Sequence, residues 1–228
     1  MAFIIKDVRK KLLEHRKKTY RTGVLPDNIT IHHSATETGN SSAFAAYHVN
    51  NHQWPGVGYH YIILKNGVVE RCWDDHTVSY HTRGLNTGNI GICLVGNGSF
   101  TTSQKSSLIK LIQILLKKYG MDISKVKGHR ERRGQTTRCP GFDAGVIRDK
   151  LRNDLNSPLL KIGSKGGEVK RMQKILARNV QLSKYGADGI FGLETEKAVK
   201  EFQKQRKLTA DGIVGVKTWK ELLKERKK

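Results

Sequence analysis

The chain has 228 residues, 37% of them hydrophobic, and a formal net charge of +22. That length suits one large domain, or a medium one and a small one, with a core that needs no disulfide staples. The charge excludes an ordinary near-neutral surface and implies a polyanionic partner: nucleic acid, an anionic membrane surface or the teichoic acids of a Gram-positive wall.

The first 155 residues hold 24 Lys and Arg against 12 acids, and the remainder 18 against 8. All nine histidines lie at or before His129, so metal or acid–base chemistry is expected in the first part. Three cysteines form no framework pattern and are expected to be reduced, with Cys72 and Cys93 buried in separate strands. No apolar run approaches the roughly 20 residues of a spanning helix, so membrane insertion is not expected. The N-terminal stretch carries charges where a signal peptide needs an unbroken apolar region, which predicts synthesis in the cytoplasm without one.

In chain order, residues 6–18 read as a helix with Val8, Leu12 and His15 on one side. After a turn at Leu25-Pro26-Asp27-Asn28, ITIHHSAT (29–36) reads as a β-branched strand ending in His32 and His33. Ser41 to His52 reads as a helix broken by WPGVG (54–58). YHYIIL and VVERCW flank Asn66-Gly67, a strong hairpin signal, with Tyr59 at the start of the first strand. NIGICLVG (89–96) is a further buried strand. Leu108, Leu111, Ile112, Leu115 and Tyr119 keep helical spacing until Gly120 stops the helix. This order predicts an α/β domain, a central mixed sheet covered by helices, over residues 1–152.

A polar stretch ending in Pro158 predicts a linker at 153–160. Residues 161–228 carry three helical stripes and no strand signal: Val169, Met172, Leu176; Ala198, Val199, Phe202; Trp219, Leu222, Leu223. DGIFGLET (188–195) and DGIVGVKT (211–218) repeat 23 residues apart, each Asp-Gly turn leading to a threonine placed to cap the next helix. A small all-α three-helix domain is expected.

The chemistry concentrates in GHRERRGQTTRCPGFD (128–143), where His129 and Cys139 stand ten residues apart. Imidazole and thiolate are good zinc ligands, and two on one loop leave room for a third and for water. Successive strand residues point to opposite faces, so one of His32 and His33 can join them. By spacing alone, a solvated basic loop with one buried thiol competes with a metal site.

Together, IHHSAT, VGYHYII with its NG turn, HTRGLNTGNIGICLVG, GHRE and TTRCPGFD occur in an order that resembles the zinc amidases of the phage lysozyme and peptidoglycan-recognition type. These N-acetylmuramoyl-L-alanine amidases cut between muramic acid and the stem peptide. The last part is similar to the three-helix peptidoglycan-binding domain. The resemblance implies one zinc ion on His32, His129 and Cys139, with Tyr59 as the catalytic tyrosine. The position two before the cysteine is lysine in some phage members; Thr137 stands there and carries no charge, as in recognition-protein amidases.

His81, Trp54 and Arg138 are candidate substrate contacts: His81 at a cleft rim, Trp54 with His48 and His52 in a peptide groove, Arg138 toward stem-peptide carboxylates. Glu131 either orients a ligand or balances nearby arginines. The function expected is that of a phage or prophage endolysin, a monomer acting on a teichoic-acid-bearing Gram-positive wall after release through a membrane lesion. A non-catalytic peptidoglycan-recognition protein is the alternative. A specific nucleic-acid binder is disfavoured, since no recognition-helix motif, zinc-finger spacing or exposed aromatic run is present.

Overall fold

The computed structural model describes residues 3–180 and 186–224, with side chains throughout except at 155 and 156. The chain divides into two compact units, Met1–Leu151 and Arg152–Lys228.

The first unit is built on a six-stranded mixed sheet of β1 (Ile5–Asp7), β2 (Asn28–His33), β3 (Tyr61–Ile63), β4 (Val69–Arg71), β5 (Asn89–Leu94) and β6 (Val126–Gly128), in the order β1-β4-β3-β5-β2-β6. Only β3 and β4 pair antiparallel, as the short Lys65-Asn66-Gly67 loop between them dictates, closed by Gly67 N donating to the Leu64 carbonyl. The other pairs are parallel. Strands β2 and β5 are buried on both faces, and β5 accordingly reads as a near-continuous apolar run, while β2 alternates isoleucine with threonine and histidine.

One face is covered by α2 (Thr102–Tyr119) and α3 (Ala144–Asn156), which close over Ile29, Ile31, Ile90, Ile92 and Leu94 with Leu108, Leu111, Leu115 and Leu151. The opposite face packs Ala45 of α1 (Ser41–His52) with Val57, Ile62, Cys72, Cys93 and Val95. Helix α2 begins with a capping box, Thr101 and Gln104 bonding each other's backbone, and ends at Gly120 with φ 61°. Helix α3 runs to Asn156, so the expected linker begins as helix.

Residues 6–18 are not an α-helix. Ile5–Asp7 instead pair with β4 as an edge strand, a single 3₁₀ turn follows at Arg9–Lys11, and the His15 amide donates to the Pro55 carbonyl. Val8 and Leu12 do reach the core, but from the two sides of that single 3₁₀ turn. Seven cations against two acids between Lys6 and Lys18 would repel along a helix, and the backbone donors find partners in the sheet instead.

The second unit contains α4 (Gly167–Leu176), α5 (Leu193–Gln205) and α6 (Val216–Lys224) around Met172, Phe191, Val199, Phe202 and Trp219. Its two Asp-Gly turns share one lock. The Gln173 amide donates to Asp188, the Ile190 carbonyl and Thr195, and its oxygen accepts from Gly189 N. Gln203 does the same with Asp211, Ile213, Thr218 and Gly212 N. The expected threonine caps are therefore corrected. Glycine occupies the N-cap of α5, and Thr195 and Thr218 lie buried, donating back to Ile190 and Ile213.

Candidate metal centre

His32, His129 and Cys139 are brought together so that one ligand atom from each lies within 4.8 Å of the others. His32 stands on β2 and, by strand alternation, faces away from the side its neighbour His33 takes. His129 follows β6, where the chain leaves the sheet in a 3₁₀ turn. The loop carrying Cys139 is tied back by Arg130 N donating to the Cys139 carbonyl at 2.8 Å. It also packs on β6 itself: a side chain on Gly128 would meet Pro140 Cδ at 2.9 Å, so only glycine admits that approach.

The turn is fixed from two further directions. Glu131 accepts from Gly128 N and forms a two-pronged pair with Arg148 of α3, at 2.7 and 2.9 Å. Its charge therefore serves the turn and an arginine rather than a ligand. Arg132 is buried and donates to Thr30 Oγ1, Asn28 Oδ1 and the Ile29 and Lys125 carbonyls, clamping the turn to β2.

The hydrogen bonds determine how each imidazole presents itself. Gln135 donates its amide N–H to the Arg83 carbonyl, so its oxygen faces His129 Nε2 at 3.0 Å and accepts from it. That leaves His129 Nδ1 as a lone pair. His32 Nε2 lies 3.0 Å from His81 Nδ1, while His32 Nδ1 lies 3.7 Å from Cys139 Sγ. Burial holds the His32 imidazole well below the usual histidine range, reinforced by His81 and His129, and burial lowers His129 too. Both rings are therefore neutral near pH 7. Burial pushes the Cys139 thiol up to about 11, against the partial help of His33 N–H.

Two neutral imidazoles and one thiol converging without a carboxylate form a donor set suited to zinc, and three ligands leave a position open. Donor chemistry and mutual distance both fit that ion.

The other predicted residues are placed as follows. Tyr59 precedes β3 by two residues, with its ring 5.3 Å from that of His32. Burial, with the Cys93 and Cys139 sulfurs nearby, holds its hydroxyl well above the usual tyrosine range. Thr137 is exposed and accepts from Cys139 N at 3.1 Å. Arg138 is exposed beside Cys139. Trp54 stacks on His48 and His52 at 4.8 and 5.1 Å, and His48 reaches Tyr59 at 5.8 Å, so rings run continuously from Trp54 to His32. His81 is not at a cleft rim; it is buried behind His32. Gln135, Arg132 and Thr82 also belong to the site, and no local pattern marks them because each has one partner far along the chain: Arg83, Thr30 and His32 respectively.

A largely buried His/His/Cys cluster, with two members at the ends of parallel strands and the third on a loop, has the donor set of an open metal centre. Residues 22–142, more than half of the chain, match the family described as N-acetylmuramoyl-L-alanine amidase, and the chain belongs to that family. Residues 165–222 match a peptidoglycan binding domain. The endolysin of Escherichia phage T7 is 34% identical over 128 residues, covering 51% of this chain and 82% of that one. The amidase CwlL of Bacillus licheniformis is 28% identical over 172 residues, covering 64% of this chain and 48% of that protein. Among solved structures, the amidase LysC from Clostridium intestinale URNW superposes with a TM-score of 0.52 at 28% identity, covering 62% of this chain and 97% of that one.

Proposed function

We propose that this amidase cleaves the N-acetylmuramoyl–L-alanine bond of peptidoglycan with zinc held by His32, His129 and Cys139. The observation that carries the reading is the convergence of those three donors, with both imidazoles kept neutral and hydrogen-bonded through Nε2. A zinc ion there supplies Lewis acidity, which acidifies water and polarises a carbonyl.

The chain's own residues do the rest. Tyr59, beside His32 and shielded from ionising, offers an O–H donor to the attacking water or to the developing oxyanion. Thr137 already uses its oxygen to accept from Cys139 N, so its hydroxyl proton is available to the other side of that oxyanion. The ring array of Trp54, His48 and His52 forms an apolar wall for the substrate beside Tyr59, and exposed Arg138 meets stem-peptide carboxylates.

The second unit anchors the enzyme on the wall and raises local substrate concentration without a new catalytic contact. Lys170, Arg171 and Lys174 line one of its surface pockets and, with the +22 charge, suit anionic wall polymers such as teichoic acids. The endolysin relatives support action at the cell wall; access through a membrane lesion and a monomeric state complete the proposal.

Replacing the thiol tests the site directly. Cys139→Ser should lose most bound zinc and most amide cleavage; a fully active, zinc-free variant would remove the metal from the reaction.

A further inference from the structure

His81 is buried, touches a proposed ligand and has both ring nitrogens engaged. Its Nε2 lies 2.8 Å from the Asn89 carbonyl, which can only accept, so the proton of the neutral ring is on Nε2. Its Nδ1 is then a lone pair, facing His32 Nε2 at 3.0 Å and Thr82 Oγ1 at 3.0 Å.

An acceptor at that position requires His32 to carry its own proton on Nε2, leaving Nδ1 toward Cys139. We infer that His81 is a positioning residue: it selects the tautomer and ring orientation in which His32 can ligate metal through Nδ1. The inference rests on the metal-site reading and adds a residue to it.

The chain invests heavily in holding this ring. The Asn86 side chain accepts from His81 N and Thr82 N, at 3.0 and 2.7 Å, which locks the loop that carries it. The imidazole lies flat against β5: a Cβ on Gly91 would come within 2.6 Å of His81 Cγ, so the bare backbone of Gly91 is what admits the ring. Behind it, His60 is pinned in one tautomer, Nε2 to the Thr77 carbonyl at 2.7 Å and Nδ1 accepting from Gly91 N at 3.0 Å. The rings His60, His81, His32 and His129 follow one another at 5.7, 5.1 and 4.5 Å. A ring that merely filled space would not need two directional partners and a glycine beneath it.

Groups that orient metal-bound histidines typically govern metal affinity by about 10- to 100-fold. The test compares two near-isosteric replacements in the full-length protein. His81→Leu removes the acceptor; His81→Asn keeps an acceptor near the position of Nδ1. Zinc dissociation constants would be measured by competition with a chromophoric chelator, alongside the Co2+ absorption spectrum and the unfolding temperature of the metal-free protein.

His81→Leu should bind zinc about 10- to 100-fold more weakly, with a changed Co2+ spectrum. His81→Asn should recover most of the affinity even where both metal-free variants melt alike. Unchanged affinity in His81→Leu, or equal losses in both variants, would overturn the inference. Should His81→Leu fail to fold, His81→Asn decides alone: near-native affinity supports the role, and a loss of about 100-fold contradicts it. A wild-type protein that binds no zinc would instead overturn the metal-site reading itself.

Discussion

Tyr59 is held near the sulfurs of Cys93 and Cys139, its ring against that of His32. Its neutrality matters, because a donor that stayed protonated would stabilise negative charge developing beside it at any physiological pH. Tyr59→Phe should lower turnover at least about tenfold, since loss of one oxyanion donor costs on the order of 10²–10³ elsewhere. Zinc content should stay near one per chain, because the tyrosine is not among the three donors. Wild-type turnover in that variant would remove Tyr59 from the reaction.

At this scale, residues with a short, directional reason to exist were readable. Alternation along β2 separates His32 from His33, and GHRE and TTRCP carry the other donors. His81 lies inside rather than at a rim because its partners are the Asn89 carbonyl on the following strand and His32 on another, contacts that the loop sequence HTRGLN does not encode. The role of Gln135 is equally non-local, its second partner being the Arg83 carbonyl.

Between elements, one buried carboxylate joins the sheet to α2. Asp75 accepts from Tyr61 at the start of β3 and from Lys118 and Tyr119 at the end of α2, the latter two at 2.7 Å. Burial opposes its ionisation, but the hydrogen bonds from Lys118, Tyr119 and Tyr61 outweigh that and hold its carboxyl below the usual range. A depressed carboxylate contributes stability above its unfolded value of about 4 and loses it as pH falls through the folded value. Asp75→Asn should therefore cost about 1–3 kcal/mol at pH 7, and the gap to wild type should close as the pH is taken below about 4. Denaturant titrations at pH 7 and pH 3.5 check this; a gap that widens in acid would contradict it.

Elements with long apolar periods, α2 and the three helices of the second unit, were legible because burial enforces the stripe. The helix expected at 6–18 was not there. Val8 and Leu12 supplied a helical-looking stripe, yet edge pairing with β4 satisfies the backbone and spares the cations a shared helix. In the repeated turns, position suggested caps, whereas Gln173 and Gln203 draw Thr195 and Thr218 inward as partners.

For the whole molecule, the sequence separates chemistry from charge. Every histidine lies in the first unit, while the second is the more densely basic. The family match over residues 22–142 and the peptidoglycan-binding match over 165–222 fall on the same division of labour. Among the described residues no helix is long and apolar enough to cross a membrane. Charge alone also admitted nucleic acid, and only the ordered motifs and the site they build distinguish a wall amidase from a general polyanion binder.

The most direct measurement incubates purified peptidoglycan with the full chain, with and without a chelator, and assays new amino groups and new reducing sugar ends together. The account predicts amino groups alone, with alanine as the new N-terminus, abolished by the chelator and restored by added zinc. Reducing ends without amino groups, or amide cleavage indifferent to the chelator, would contradict it.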